Sequence, residues 1–229
     1  MTTQTSAAED LYSRVRTCVR CPLAETRTNA VPGEGPLTAE VLFIGEAPGM
    51  NEDKQGRPFV GQAGTFLEEL LAAAGLQRQE VYICNVLKCR PPANRDPAPG
   101  EIAACRDYLD EQVALVDPLV IVTLGRFSMA KWFPGQTISR IHGTVKEDGG
   151  RFVIPMFHPA AALHQQNLRP TILNDFRTVP AVLERARRLR AREAHPTTSR
   201  AGSPERTETQ FATNGPGAAS TIEQKRLFD

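Results

Sequence analysis

Apolar positions along the chain follow two periods. Near the N-terminus, AEDLYSRVRTC sets Leu11 and Val15 four residues apart, the spacing of one helix face. Val41–Ile44 is a short continuous apolar run ending at a Gly/Pro turn, which predicts a strand buried on both sides. AGTFLEELLAAAGL returns to helical spacing and ends near Gly75. VYICNVLK predicts a second strand, GEIAACRDYLDEQVALVD a second long helix, and PLVIVTLG a third strand with a glycine at its exit. RFSMAKWF predicts a short helix and RFVIPMFHP a fourth strand. PTILNDFRTVPAVLERARRLRARE is helical, with Pro180 marking a break or kink.

Strands alternating with helices imply an α/β fold, a three-layer sandwich with a central four-stranded parallel sheet flanked by helices. Ligands of such sheets bind outside the carboxyl ends of the strands. Gly45–Gly49, Asn85 and His158 all fall there. From about His195 the chain turns to Ser, Thr, Gly, Pro and Ala with balanced charge, which predicts a disordered tail. The expected division is a domain over 1–194 and a tail over 195–229.

The 229 residues are 41% hydrophobic, enough for a packed core, and no run approaches a membrane span. The N-terminus lacks the apolar region of a secretion signal, so a soluble cytoplasmic protein, monomeric and without membrane contact, is expected. With 27 basic and 26 acidic residues, overall charge says nothing for or against nucleic acid. The five cysteines suit ligation by four with one spare better than a disulfide framework. Cys18 and Cys21 form C-x2-C, and Cys89 and Cys105 are the distant pair. Thiolates bind zinc or iron–sulfur clusters, and unrelated free cysteines are the plain alternative. Cys84, inside a strand, reads as a small core hydrophobe.

GEAPGMNEDKQGRPFVGQAG places Glu46 at a strand end and Phe59 among glycines, which suits a pocket for a flat polar ring. Taken in order, GEAPGMNEDKQGRPFVG, YICNVLKCRPPANRDP, the cysteine spacing and MFHPAAALH resemble the family 4, iron–sulfur uracil-DNA glycosylases. The resemblance runs from about Leu11 to about Leu189. It implies a monofunctional hydrolase that flips uracil out of DNA and cleaves its N-glycosidic bond. It implies a [4Fe-4S] cluster on Cys18, Cys21, Cys89 and Cys105, stacking of the base by Phe59, and reading of its edge by Asn85. Glu46 and His158 take the catalytic positions, with His158 donating to uracil O2 as charge develops. Glu52 takes the position that crowds the C5 side of the ring. Leu163 is the candidate wedge into the duplex, although His164 stands where the family has Leu. A non-catalytic DNA- or base-binding protein on the same scaffold is the alternative. His142 of SRIHG lies outside the insertion that carries a covalent histidine in one branch of the superfamily, so no such role is expected for it. The basic stretch ERARRLRARE is a candidate phosphate contact or a solvated helix face. In the tail, Gln224, Leu227 and Phe228 resemble the short peptides by which bacterial repair proteins bind the sliding clamp.

Overall fold

The computed structural model describes residues 2–194. The expected tail and the Gln224, Leu227 and Phe228 motif lie outside the described residues. The chain opens with α1 (Thr2–Arg16) and a single turn, α2 (Leu23–Thr26), before β1 (Val41–Gly45). Helices α3 (Met50–Gln55) and α4 (Gln62–Ala73) lead to β2 (Tyr82–Asn85), and α5 (Pro99–Val116) to β3 (Val120–Leu124). Two short helices, α6 (Arg126–Met129) and α7 (Ile138–Ile141), precede the hairpin of β4 (Lys146–Asp148) and β5 (Arg151–Met156). Helices α8 (Pro159–His164), α9 (Arg169–Phe176) and α10 (Val179–Ala194) close the domain. The break before Pro180 falls at Arg177–Thr178, and the proline takes the second position of α10, where its missing N–H costs little.

The sheet has five strands in the order β2-β1-β3-β5-β4. The four expected strands pair in parallel, and β4 adds an antiparallel edge. This extra strand is three residues long and fully exposed, so it has no apolar signature. Its cue is the Gly149-Gly150 pair. Both residues have positive φ, and they join Asp148 to its partner Arg151 as a tight two-residue hairpin. β2 is shorter than VYICNVLK suggested, ending at Asn85. Two further bonds continue its line, from the N–H of Val86 to the Gly45 carbonyl and from that of Leu87 to the Glu46 carbonyl.

Side-chain alternation divides the core. Val41, Phe43, Val120, Val122, Ile154 and Met156 face α4, α9 and α10, and Phe43 stacks on Phe176 at 5.8 Å. Leu42, Ile44, Tyr82, Cys84, Ile121 and Val153 face α5 and Trp132. Cys84 is wholly buried there, as a small hydrophobe. No described helix is long and apolar enough to cross a membrane. β1 and β3 are neighbours whose connections leave in opposite directions along the sheet. This is the switch point at which such sheets open a crevice.

Candidate active site

The carboxyl ends of β1, β2 and β5 open into a cavity of about 740 Å3. Glu46, Glu52, Phe59, Asn85 and His158 all line it. Leu163 does not. It projects from α8, 41% exposed, between lining residues Ala161 and His164.

Asn85, the last residue of β2, is buried, and its Oδ1 has no hydrogen-bond partner among the described residues. Such an orphan costs about 1–3 kcal/mol, and a ligand bearing a donor relieves it. Gly45 makes the room: a Cβ there would lie 2.3 Å from Asn85 Oδ1 and 2.7 Å from the Phe59 ring.

Phe59 is held in a conformation its side chain disfavours, with φ of +51°. Two features hold it. Arg78 donates to the carbonyls of Pro58 at 2.6 Å and Phe59 at 3.2 Å, and Gly64 lets the helix backbone approach. A Cβ on Gly64 would come within 2.0 Å of the Phe59 carbonyl oxygen. Glu52 fixes the same loop. Its carboxylate accepts from the N–H groups of Gly49 at 3.1 Å and of Val60 and Gly61 at 2.9 Å each.

His158 caps α8. The Ala160 N–H donates to its Nδ1 at 3.1 Å, so a neutral ring carries its proton on Nε2. Burial pushes its pKa down to about 4, with the Glu52 charge opposing, and the imidazole is neutral at physiological pH. Its ring faces that of Phe59, centroids 5.5 Å apart and planes 25° from parallel. Burial raises the pKa of Glu46 above the ordinary carboxylate range. Asp96 adds to the rise and Arg126 opposes it.

The rim also holds residues that sequence reasoning missed. Pro91, Asn94 and Arg95 line the cavity, and Ala93 and Asn94 both have positive φ. Arg95 is fixed by two bonds to the Glu101 carboxylate, at 2.6 and 3.0 Å. The prolines of RPPANRDP announced a loop, but nothing in them indicated where it would turn. His142 lies apart from the lining residues. Its Nδ1 meets Asp175 Oδ2 at 2.8 Å, and its ring packs on Phe157.

Cys18, Cys21, Cys89 and Cys105 meet in one packed cluster with Leu11, Val15 and Leu23. Among the described residues, no three His, Cys, Asp or Glu side chains are placed to hold a metal ion. The sulfurs do face N–H donors: Arg27 Nη1 lies 3.1 Å from Cys89 Sγ, the Lys88 N–H 3.4 Å from Cys105 Sγ, and the Arg20 N–H 3.5 Å from Cys18 Sγ. Burial pushes the Cys105 thiol up to about 11, with the nearby Lys88 ammonium and N–H opposing. It also raises Cys89, which Arg27 counters. Donors aimed at sulfur suit thiolate ligands of an iron–sulfur group.

A mixed α/β sheet with a buried amide, a neutral imidazole and a carboxylate around one cavity defines the class: an α/β protein with a polar pocket at the carboxyl ends of its strands. The family model described as "Uracil DNA glycosylase superfamily" matches residues 32–179. A type-4 uracil-DNA glycosylase of Archaeoglobus fulgidus is 47% identical over 180 residues, spanning 75% of this chain and 90% of that protein. One from Thermotoga maritima is 43% identical over 190 residues, 81% of this chain and 99% of that protein. The chain belongs to the uracil-DNA glycosylase superfamily and, within it, to the type-4 family.

Proposed function

We propose that this protein is a monofunctional glycosylase that removes uracil from DNA and leaves an abasic site for base excision repair. The relatives named type-4 uracil-DNA glycosylases support the reaction. The observation that carries the substrate is the unpaired, buried Oδ1 of the Asn85 amide. One amide supplies both a donor and an acceptor, which match O4 and N3–H of uracil. Cytosine reverses that pattern and would leave buried polar groups unpaired, a strong ground for rejection.

The base must leave the duplex to reach a cavity this deep in the sheet. Phe59 supports its ring, and the Glu52-braced loop bounds the edge at C5. The C1′–N1 bond breaks with its electron pair passing to uracil. His158, already neutral, offers its Nε2–H as a donor for the oxygen where that charge collects, and no proton need be transferred. Glu46 lies on the opposite electrostatic side of the reaction. It balances the sugar cation or orients the water whose oxygen bonds to C1′, the water's proton passing to solvent. Leu163, exposed beside the mouth, fills the space left by the base.

Cys18, Cys21, Cys89 and Cys105 would hold a [4Fe-4S] cluster, which ties the segment after α1 and the Cys89 loop to α5. The donors facing three of the sulfurs support this reading. The deciding assay is release of uracil from single- and double-stranded oligonucleotides, with iron and sulfide content measured on the same anaerobically purified protein. Expected are free uracil with an intact abasic strand and about four iron per chain. No release from either substrate would overturn the activity, and stoichiometric zinc without iron the cofactor.

A further inference from the structure

Lys88 is the most thoroughly buried cation in the described chain, 1% exposed, and it forms no ion pair with a carboxylate. Its Nζ donates to the Asn85 carbonyl at 2.6 Å and to Gln112 Oε1. Gln112 is fully buried, and its Nε2 donates onward to the Pro32 carbonyl and, at 3.1 Å, to the Tyr82 hydroxyl. The Lys88 N–H meets Cys105 Sγ at 3.4 Å, and the next residue is Cys89.

An ammonium sealed from water without an anion costs several kcal/mol, so such groups are paired or do not stay charged. Here the ammonium favours the ionised form of the Cys105 thiol, one of the four, and of the buried Cys84 thiol in β2. Four thiolates around an iron–sulfur core would carry net negative charge, and Lys88 reaches that set through its N–H on Cys105 Sγ. One residue therefore touches both functional regions. Its backbone N–H bonds a cysteine sulfur, and its side chain holds the carbonyl of the residue whose amide reads the base.

We propose that Lys88 is a positioning residue that couples the four-cysteine centre to the base pocket, offsetting the thiolate charge while fixing the backbone of Asn85. The proposal rests on the reading of the pocket as a uracil site and of the cysteines as cluster ligands. The bond from Nζ to the Asn85 carbonyl fixes the end of β2, where the Asn85 amide oxygen lies against Gly45. Without the lysine, the centre loses a counter-charge and the Asn85 amide loses its registration.

The experiment compares wild type, Lys88→Met and Cys84→Ala, the last a buried neighbour in β2 that takes no part in the chain of bonds. Three quantities are read on iron-loaded protein: the midpoint potential of the centre, KM and kcat for uracil release, and the dissociation constant of free uracil. Removing a positive charge disfavours the reduced centre, so the Lys88→Met potential should move to more negative values. KM and the uracil dissociation constant should rise about tenfold, the scale of one lost charged hydrogen bond, with a smaller fall in kcat. Cys84→Ala should match wild type in all three. A loaded Lys88→Met protein with wild-type potential and wild-type uracil affinity overturns the coupling. If Lys88→Met does not fold, Gln112→Leu decides. It keeps the charge but removes one anchor of the ammonium, and it should weaken uracil binding while leaving the potential near that of wild type; unchanged binding sinks the proposal. Wild type that releases no uracil would instead indict the functional reading, and wild type without iron the cofactor reading, each visible before any variant is compared.

Discussion

The sheet has a cavity near each end, and the two treat their polar groups in opposite ways. The smaller, about 390 Å3, lies at the amino ends of β1 and β2 between Glu40, Val81, Leu183 and Arg187. Its charges are matched among themselves: Arg187 bonds both Glu40 and Glu184, and Glu80 accepts from the Gln77 N–H. At the carboxyl ends, Asn85 Oδ1 has no partner among the described residues, burial raises Glu46, burial lowers His158, and Phe59 has positive φ. Size alone would not separate a site from a packing defect. The separation is energetic: one cavity pairs its charges internally, while the other leaves one buried amide oxygen without a partner among the described residues, beside a strained backbone and two groups whose ionisation burial disfavours.

The strongest test of that contrast is His158→Ala. Loss of one donor aimed at developing charge typically lowers a rate about a hundredfold or more, so single-turnover uracil release should fall by at least that factor. Folding should persist, because α8 keeps Pro159 at its first turn. An unchanged rate would mean that the larger cavity is not the active site.

A smaller effect is expected from adding one methyl group at each end. Gly45→Ala drives a Cβ into Asn85 Oδ1 and the Phe59 ring, both under 3 Å away, and should weaken uracil binding about tenfold or more. Gly75→Ala lines the other cavity. Nothing lies within 4 Å of its Cβ, and only its φ of +66° resists, at a cost of about 1 kcal/mol in stability. Its catalytic rate should equal wild type. Equal losses of activity in the two variants would erase the distinction between the cavities, and thermal melts beside single-turnover assays would reveal it.

The residues that make this contrast were unequally legible in the sequence. Glu46, Asn85 and His158 sit at or just after strand ends beside a turn signal, Phe59 sits among glycines between α3 and α4, and all of them line the cavity. Val41, Phe43, Leu42 and Ile44 betrayed the buried strand by being apolar without interruption. The supports were not legible. Arg78 clamps Pro58 and Phe59 from twenty and nineteen positions away, and Gln112 reaches Pro32 from eighty. A long polar side chain reads as a solvated helix face until the fold reveals a carbonyl at its tip. β4 was missed for the opposite reason: with every side chain exposed, no burial pattern recorded it, and only Gly149-Gly150 marked the turn.

The smallest predicted effect concerns pH. In its proposed role Glu46 acts as a carboxylate, and its pKa is raised first by burial, then by Asp96, with Arg126 opposing. The acid limb of the single-turnover profile should therefore lie above the ordinary range of a glutamate. His158 does not contribute to that limb near neutrality, since at about 4 its pKa keeps it neutral throughout. Asp96 and Arg126 are both largely exposed and bond each other, so each can be changed with little effect on the core. Asp96→Asn removes a negative neighbour and should move the limb to lower pH; Arg126→Gln removes a positive one and should move it to higher pH. Arg187→Gln, in the cavity whose charges are already paired, should leave the limb where it is and alter stability by no more than about 1 kcal/mol. Profiles on the three variants distinguish a specific carboxylate from general surface charge. If all three move the limb in the direction set only by net charge, Glu46 is not the titrating group. If Asp96→Asn and Arg126→Gln move it in opposite directions while Arg187→Gln does not, the unsatisfied cavity alone controls the chemistry.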